Sequence, residues 1–184
     1  MKFPTVSVEN FFDKPDDIVK YANSLEYKTP EKNQFWIGQR SELLHLIHPK
    51  LFHFICEKVI SVFYDGSKED INYDDAQICF QKISKKDWQN NKIKTHRDIS
   101  DSLSGLIYLS KEENFANGTK ISIDSELDHI MVSSKYNSML CYDGSQLHGP
   151  IGSTGEDRLT IVFFIHNVLA EKTPYERLNN IKGF

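Results

Sequence analysis

Ala76-Gln77-Ile78-Cys79-Phe80-Gln81-Lys82-Ile83 and Leu159-Thr160-Ile161-Val162-Phe163-Phe164-Ile165 are rich in β-branched and aromatic residues and are too short for buried helices. Runs of this kind, bounded by polar or turn-forming residues, read as strands. The same reading applies to Ile93–Asp98, Gly105–Leu109, Lys120–Ile123 and Asn137–Tyr142. Everything from Ala76 to Ile165 is therefore expected to be short strands joined by turns, which favours a sandwich or barrel over a parallel α/β sheet. Asn117-Gly118 adds a tight-turn signal between two of these strands.

Upstream of Asp65-Gly66 the spacing is helical. After a short alternating stretch, Thr5–Val8, the segment Asn10–Ser24 opens with Asp13, Pro15 and Asp16 and carries Ile18, Val19, Tyr21 and Ala22, with Leu25 just beyond, on one face. A polar stretch from Lys28 to Arg40 leads to a second helix, with Pro49 near its first turn and Leu51, Phe52, Ile55, Val59, Ile60 and Phe63 on its apolar side. No repeat, low-complexity run or linker divides the chain. The expectation is one domain over 1–184, mainly β with buttressing helices: a mostly helical buttress over 1–65, a β core over 76–165 and a polar tail or surface helix over 171–184.

Composition narrows the function classes. A chain of 184 residues can bury one continuous core. Its formal charge of -4 argues against a general nucleic-acid surface, which needs a basic face to neutralise phosphates. Cys56, Cys79 and Cys141 are odd in number, far apart and set among apolar residues, the pattern of reduced, buried thiols. No stretch has the length of a membrane span and the amino terminus lacks a signal-peptide core, so a cytoplasmic protein without membrane contact is expected. Oligomeric state is not readable from the sequence.

The chemistry concentrates in four residues. His96 and Asp98, two apart on an expected strand, point to one face, and His148 follows after the Asp143-Gly144-Ser145 turn. Two imidazoles and a carboxylate on one side of a metal leave the other side open, an arrangement suited to ferrous iron reacting with oxygen. Arg158 and Thr160 share a face of the next strand, where a guanidinium and a hydroxyl can clamp a carboxylate.

The order His96-x-Asp98, a long gap, His148 and then Arg158-x-Thr160 resembles the signature of the Fe(II)/2-oxoglutarate-dependent oxygenases, especially their prolyl-hydroxylase-like branch and its small stand-alone members. Tyr108, in Gly105-Leu106-Ile107-Tyr108-Leu109-Ser110, resembles a tyrosine that contacts the far carboxylate of 2-oxoglutarate in that family. Asn117-Gly118-Thr119 resembles its glycine-glycine-threonine turn, with asparagine at a position of positive φ. Glu9-Asn10-Phe11-Phe12 and Ile37-Gly38-Gln39-Arg40 also resemble members of the family.

The resemblance implies a double-stranded β-helix (jelly-roll) core, Fe(II) held by His96, Asp98 and His148, and 2-oxoglutarate held by Arg158 with Thr160 and Tyr108. It further implies O2 as the oxidant, release of succinate and CO2, and hydroxylation of a C–H bond in a peptide side chain or small metabolite.

Rival readings differ in what they leave unexplained. A protein kinase also carries His-Arg-Asp, but needs asparagine where this chain has Leu103. A zinc hydrolase using the same three ligands leaves Arg158 without a purpose and lacks an evident general base. A non-catalytic β-fold binding module would not need an intact ligand set. His45, His48, His53, His129 and His166 read as structural or exposed. The charged segment Lys85–Lys92 reads as a solvated loop placed to act as a substrate lid, with Trp88 as its contact.

Overall fold

The computed structural model describes residues 2–32, 34, 36–66, 68, 70–90, 95–98, 102–111, 114–122, 128–151 and 157–179. Strand β1 (Val6–Val8) precedes helix α1 (Pro15–Ser24), the two-residue strand β2 (Gln39–Arg40) and helices α2 (Leu44–Ile47) and α3 (Pro49–Ser61). Then come β3 (Asp75–Ile83), α4 (Lys85–Asn90), β4 (Ser102–Tyr108), β5 (Asn114–Ser122), β6 (His129–Ser134), β7 (Met139–Asp143), β8 (His148–Pro150), β9 (Arg158–His166) and α5 (Pro174–Asn179). A six-stranded sheet runs β1-β7-β4-β9-β3-β2 and a three-stranded sheet runs β6-β5-β8, with every strand pairing among the described residues antiparallel.

The helices form where the sequence places their signals. Pro15 opens α1, and Asp16 and Asp17 lie in its first turn, where negative charge complements the exposed N–H groups. In α3, Pro49 takes the first position and the His48 Nδ1 accepts a hydrogen bond from the Leu51 amide at 3.2 Å, so that histidine is a helix cap. The buried residues Leu51, Phe52, Ile55, Cys56 and Val59 recur at helical spacing and press on the large sheet. Each such side chain removed from water contributes about 1.5–3 kcal/mol.

Strand periodicity divides the large sheet into two faces. Ile78 and Phe80 of β3, Leu103 and Ile107 of β4, Met139 and Cys141 of β7 and Ile161, Phe163 and Ile165 of β9 join the helices in the main core. The alternate residues Cys79, Leu106, Tyr108, Leu140, Tyr142 and Val162 form a second cluster with Ile121 of the small sheet. The chemistry sits on this second face. Asn137, at φ 59°, turns the chain into β7 and clamps the amino-terminal segment: its Oδ1 accepts from the Phe12 amide and its Nδ2 donates to the Phe12 carbonyl, both at 2.8 Å.

Three expectations change. Asn117-Gly118 is not a turn between strands: both residues lie within β5, where the β5–β6 register shifts between Asn114 and Thr119, and Asn117 is not among the residues of positive φ. An irregularity of this kind inserts extra backbone into a strand, a need that glycine meets as readily as it meets a turn. Lys85–Asn90 is a helix: the Ser84 amide and hydroxyl donate to the Asp87 carboxylate at 2.8 and 2.7 Å, closing its first turn. Within the expected strand Ile93–Asp98, residues 91–94 lie outside the described residues, and His96 makes only an isolated bridge to His148. Residue 123 of the expected strand Lys120–Ile123 and residues 180–184 of the tail also lie outside. All three cysteines are free and buried, and burial pushes the thiols of Cys56 and Cys79 up to about 11. Among the described residues no helix is long and apolar enough to cross a membrane.

Candidate metal centre

His96 and His148 meet through their backbones. The His96 amide donates to the His148 carbonyl at 2.8 Å and the His148 amide donates back at 2.9 Å, an antiparallel pair that brings the two rings within 4.5 Å, centroid to centroid. Asp98 is fixed separately, its amide donating to the Gly144 carbonyl at 2.8 Å. Thus the His-x-Asp pair is held by one bridge and one turn contact rather than by a continuous strand. Gly144 is needed there, because a Cβ would stand 2.0 Å from the Ser102 Oγ and 3.2 Å from the Asp98 Cβ.

The result is a convergent donor set. One ligand atom from each of His96, Asp98 and His148 lies within 4.8 Å of the others. His96 Nε2 is 3.5 Å from Asp98 Oδ1, and His148 Nε2 is 3.5 Å from Asp98 Oδ2. Asp98 Oδ2 is buried with no hydrogen-bond partner, the condition a cation relieves. The His148 Nδ1 faces the Gln146 carbonyl at 2.9 Å, which places the proton on Nδ1 and leaves the Nε2 lone pair free for a metal.

Electrostatics prepare the same protonation states. Burial pushes the Asp98 carboxyl up, but the His96 hydrogen bond, the His148 charge and the Ser104 hydroxyl outweigh it and hold the group below the usual carboxylate range. Burial lowers the His148 pKa against the pull of Asp98, favouring the neutral imidazole that binds metals. Two ligands are enclosed while the His96 side chain is 55% exposed, so the set has an open side.

That open side faces a cavity of about 880 Å³ whose lining includes His96, His148, Tyr142 and Arg158. Arg158 is 6% exposed and has no carboxylate partner among the described residues. Its Nη1 donates to the Gly118 carbonyl at 3.2 Å, its Nη2 reaches the Thr119 hydroxyl at 3.5 Å, and its Nε has no partner. Its Cζ lies 5.2 Å from the Tyr108 ring centroid, and the Tyr108 hydroxyl donates to Thr119 Oγ1 at 2.9 Å, joining the two sheets. Burial lowers the Arg158 pKa, although the guanidinium stays a cation.

Thr160 pairs with both Gln81 and Tyr108 in register, so it shares the face of Arg158, and its hydroxyl is buried without a partner. Thr119 and Tyr142 were not anticipated. Thr119 is the third residue of the Asn117-Gly118-Thr119 motif, whose resemblance carries no site role for it; Tyr142, with its ring 4.5 Å from that of His148, carries no local signal. Trp88, the expected lid contact, is 3% exposed on α4 and is not among the described residues that line the cavity. Of the remaining histidines, His45 and His53 pack against Phe52, and none joins a second metal-ligating group among the described residues.

No protein-family model matches this sequence, and no curated protein matches it as a relative. Solved structures do match. HygX from Streptomyces hygroscopicus, crystallised with nickel, 2-oxoglutarate and hygromycin B, aligns over 90% of this chain and 84% of its own with a TM-score of 0.63 and 11% identity. SnoN, a non-heme α-ketoglutarate-dependent epimerase from nogalamycin biosynthesis, aligns over 99% of this chain and 86% of its own (TM-score 0.60, 11% identity). A Pseudomonas putida prolyl-4-hydroxylase aligns over 88% of this chain and 91% of its own (TM-score 0.57, 9% identity). The chain therefore has the jelly-roll fold of the Fe(II)/2-oxoglutarate-dependent oxygenases.

Proposed function

We propose that this protein is an Fe(II)- and 2-oxoglutarate-dependent oxygenase, with His96, Asp98 and His148 as metal ligands and Arg158 as the anchor of the cosubstrate carboxylate. One observation carries the reading: the two histidines of a convergent His-Asp-His set line the same cavity as a buried arginine that has no carboxylate partner among the described residues. A hydrolytic zinc site accounts for the first feature and not the second.

Each residue has a defined task. His148 presents Nε2 because its Nδ1 is engaged, and Asp98 supplies the negative charge that compensates part of a divalent ion. Arg158 pairs with a carboxylate through parallel charge-assisted bonds, and the Thr119 and Thr160 hydroxyls and the Tyr108 phenol lie beside it to complete the contact. Tyr142 and Leu106 form an apolar wall that keeps water from the open side. When bound, the iron and its cosubstrate supply the oxidising power, converting 2-oxoglutarate and O2 to succinate and CO2 while oxidising a C–H bond. Hydroxylation of a peptide side chain or small metabolite is the proposed outcome.

The test is anaerobic titration of the purified protein with iron(II) and 2-oxoglutarate, followed by succinate measurement after admitting oxygen. His96→Ala is expected to lose metal, and Arg158→Ala to keep metal and bind 2-oxoglutarate poorly. Iron-loaded wild-type protein that binds no 2-oxoglutarate would overturn the assignment.

A further inference from the structure

Arg40 lines the same cavity as His96 and His148, yet the proposed oxygenase chemistry does not use it. It sits on β2 opposite Gln81, which is itself opposite Thr160, which is opposite Tyr108. Residues paired this way across antiparallel strands project to one face, so Arg40 ends the cross-strand row that carries the cosubstrate contacts, two strand spacings or about 10 Å from Thr160. Its backbone is rigid: the Arg40 amide donates to the Lys28 carbonyl at 3.0 Å, and the Lys28 amide donates back at 2.9 Å.

The guanidinium is held but not neutralised. Its Cζ lies 4.6 Å from the Trp36 ring centroid and 5.8 Å from that of Phe164, so two aromatic rings orient it. It makes no salt bridge with any described carboxylate, the Asp98 charge acting on it only at longer range, and its Nε is buried without a hydrogen-bond partner. The Trp36 Nε1, from a second residue of the same wall, is likewise a buried donor without an acceptor. Such groups are the exception in native proteins, and unsatisfied donors at a cavity wall are open to the acceptors of a ligand.

The charge balance selects the ligand. Arg40, Arg97 and Arg158 line the cavity, and no aspartate or glutamate is among its described lining residues, although the chain as a whole is acidic. A divalent ion, the Asp98 carboxylate, the Arg158 cation and a 2-oxoglutarate dianion neutralise one another. Arg40 is left over, and Arg97, which is exposed and donates to the Ser145 carbonyl, lies toward solvent.

From this geometry we infer that Arg40 and Trp36 form an anion subsite for the oxidised substrate, and that this substrate is a small carboxylic acid. The inference rests on the oxygenase reading for the word substrate, whereas the subsite itself rests on Arg40 and its surroundings. A planar guanidinium matches the two oxygens of a carboxylate, and the Trp36 ring lying over it limits how the fork can turn.

The test uses the full chain with Zn(II), which supports ligand-observed NMR and permits no oxidation. The probes are the free α-amino acids and short-chain carboxylic acids, each beside its primary amide, with and without 2-oxoglutarate. At least one acid is expected to bind, its amide to bind far more weakly, and the acid's affinity to fall about 10- to 100-fold in R40Q, the loss expected of a charge-assisted hydrogen bond. R40K is expected to retain more affinity than R40Q. Binding of no acid, equal binding of acid and amide to the wild-type protein, or binding that vanishes in R158Q and survives in R40Q overturns the inference. The 2-oxoglutarate resonances report separately on the oxygenase reading: an Arg40-dependent acid without 2-oxoglutarate binding sinks that reading and leaves the subsite, and the reverse pattern sinks the subsite alone.

Discussion

Replacing Arg158 by methionine is expected to stabilise the cofactor-free protein while removing its affinity for 2-oxoglutarate. In the free protein the guanidinium is 6% exposed, has an unpartnered Nε and makes two long hydrogen bonds, at 3.2 and 3.5 Å. Taking a cation out of water costs several kcal/mol after relaxation. The hydrogen bond to Gly118 offsets about 1.5–3 kcal/mol of this, and the Tyr108 ring offsets up to about 2 kcal/mol. The remainder, about 1 kcal/mol, is regained by a hydrophobic side chain of similar length. For a chain of this size that corresponds to a rise of about 2–4 °C in Tm.

Ligand binding should move the other way. Two charge-assisted bonds lost from the cosubstrate carboxylate are worth about 3–6 kcal/mol together, which weakens 2-oxoglutarate by more than about 100-fold. Differential scanning fluorimetry reads both effects in one experiment. With manganese(II) present throughout, saturating 2-oxoglutarate should raise the wild-type transition and leave the R158M transition at the value it has with manganese(II) alone. An R158M protein that melts several degrees below the wild type without ligand, or that still shows a full 2-oxoglutarate shift, would refute the reasoning.

Gly144→Ala is expected to weaken metal binding by about tenfold or more, because the new methyl meets Ser102 and crowds the Asp98 side chain; isothermal titration with manganese(II) measures it. Asn137→Ala should cost about 2–4 kcal/mol, combining two lost buried hydrogen bonds with a left-handed φ. Asn137→Gly should recover about 1 kcal/mol of that loss in urea denaturation, since only the φ penalty is relieved. Asp143, 2% exposed, is pushed up by burial but held below its ordinary pKa by Ser145 and by the Lys2, Ser145 and Phe3 amides. A depressed folded-state pKa gives stability that is present above the unfolded value near 3.8 and is lost as pH falls through the lower folded value. Asp143→Asn should therefore destabilise by about 1–2 kcal/mol at pH 7, with the gap to wild type closing as urea melts are taken below about pH 4.

Composition makes β3 and β9 readable, because Ala76–Ile83 and Leu159–Ile165 each bury both sides of a central strand and so display β-branched and aromatic residues almost continuously. Helix α3 was equally plain, since Pro49 and the Leu51, Ile55 and Val59 stripe act within one segment. His96, Asp98, His148 and Arg158 stand out through their order along the chain, although the device that gathers the two histidines, a reciprocal backbone pair, has no local mark. Arg40 could not be assigned a role from sequence: which cavity an edge residue reaches depends on its register against Gln81, forty-one positions later, and register is a tertiary property. Lys85–Asn90 was misread because charged residues serve loops and exposed helices alike, and the Ser84–Asp87 contact that starts the helix looks like any turn chemistry.

The two faces of β9 answer to different demands. Arg158, Thr160, Val162 and Phe164 turn toward the reactive chamber, while Ile161, Phe163 and Ile165 plug into the helices behind. Neighbouring positions along this strand thus answer to separate physical constraints, the chemistry of a cavity on one side and close packing on the other. Descendants of this scaffold can acquire new substrates by exchanging every second residue along a strand while its partners keep the architecture intact, a route by which sequences drift far apart beneath an unchanged backbone.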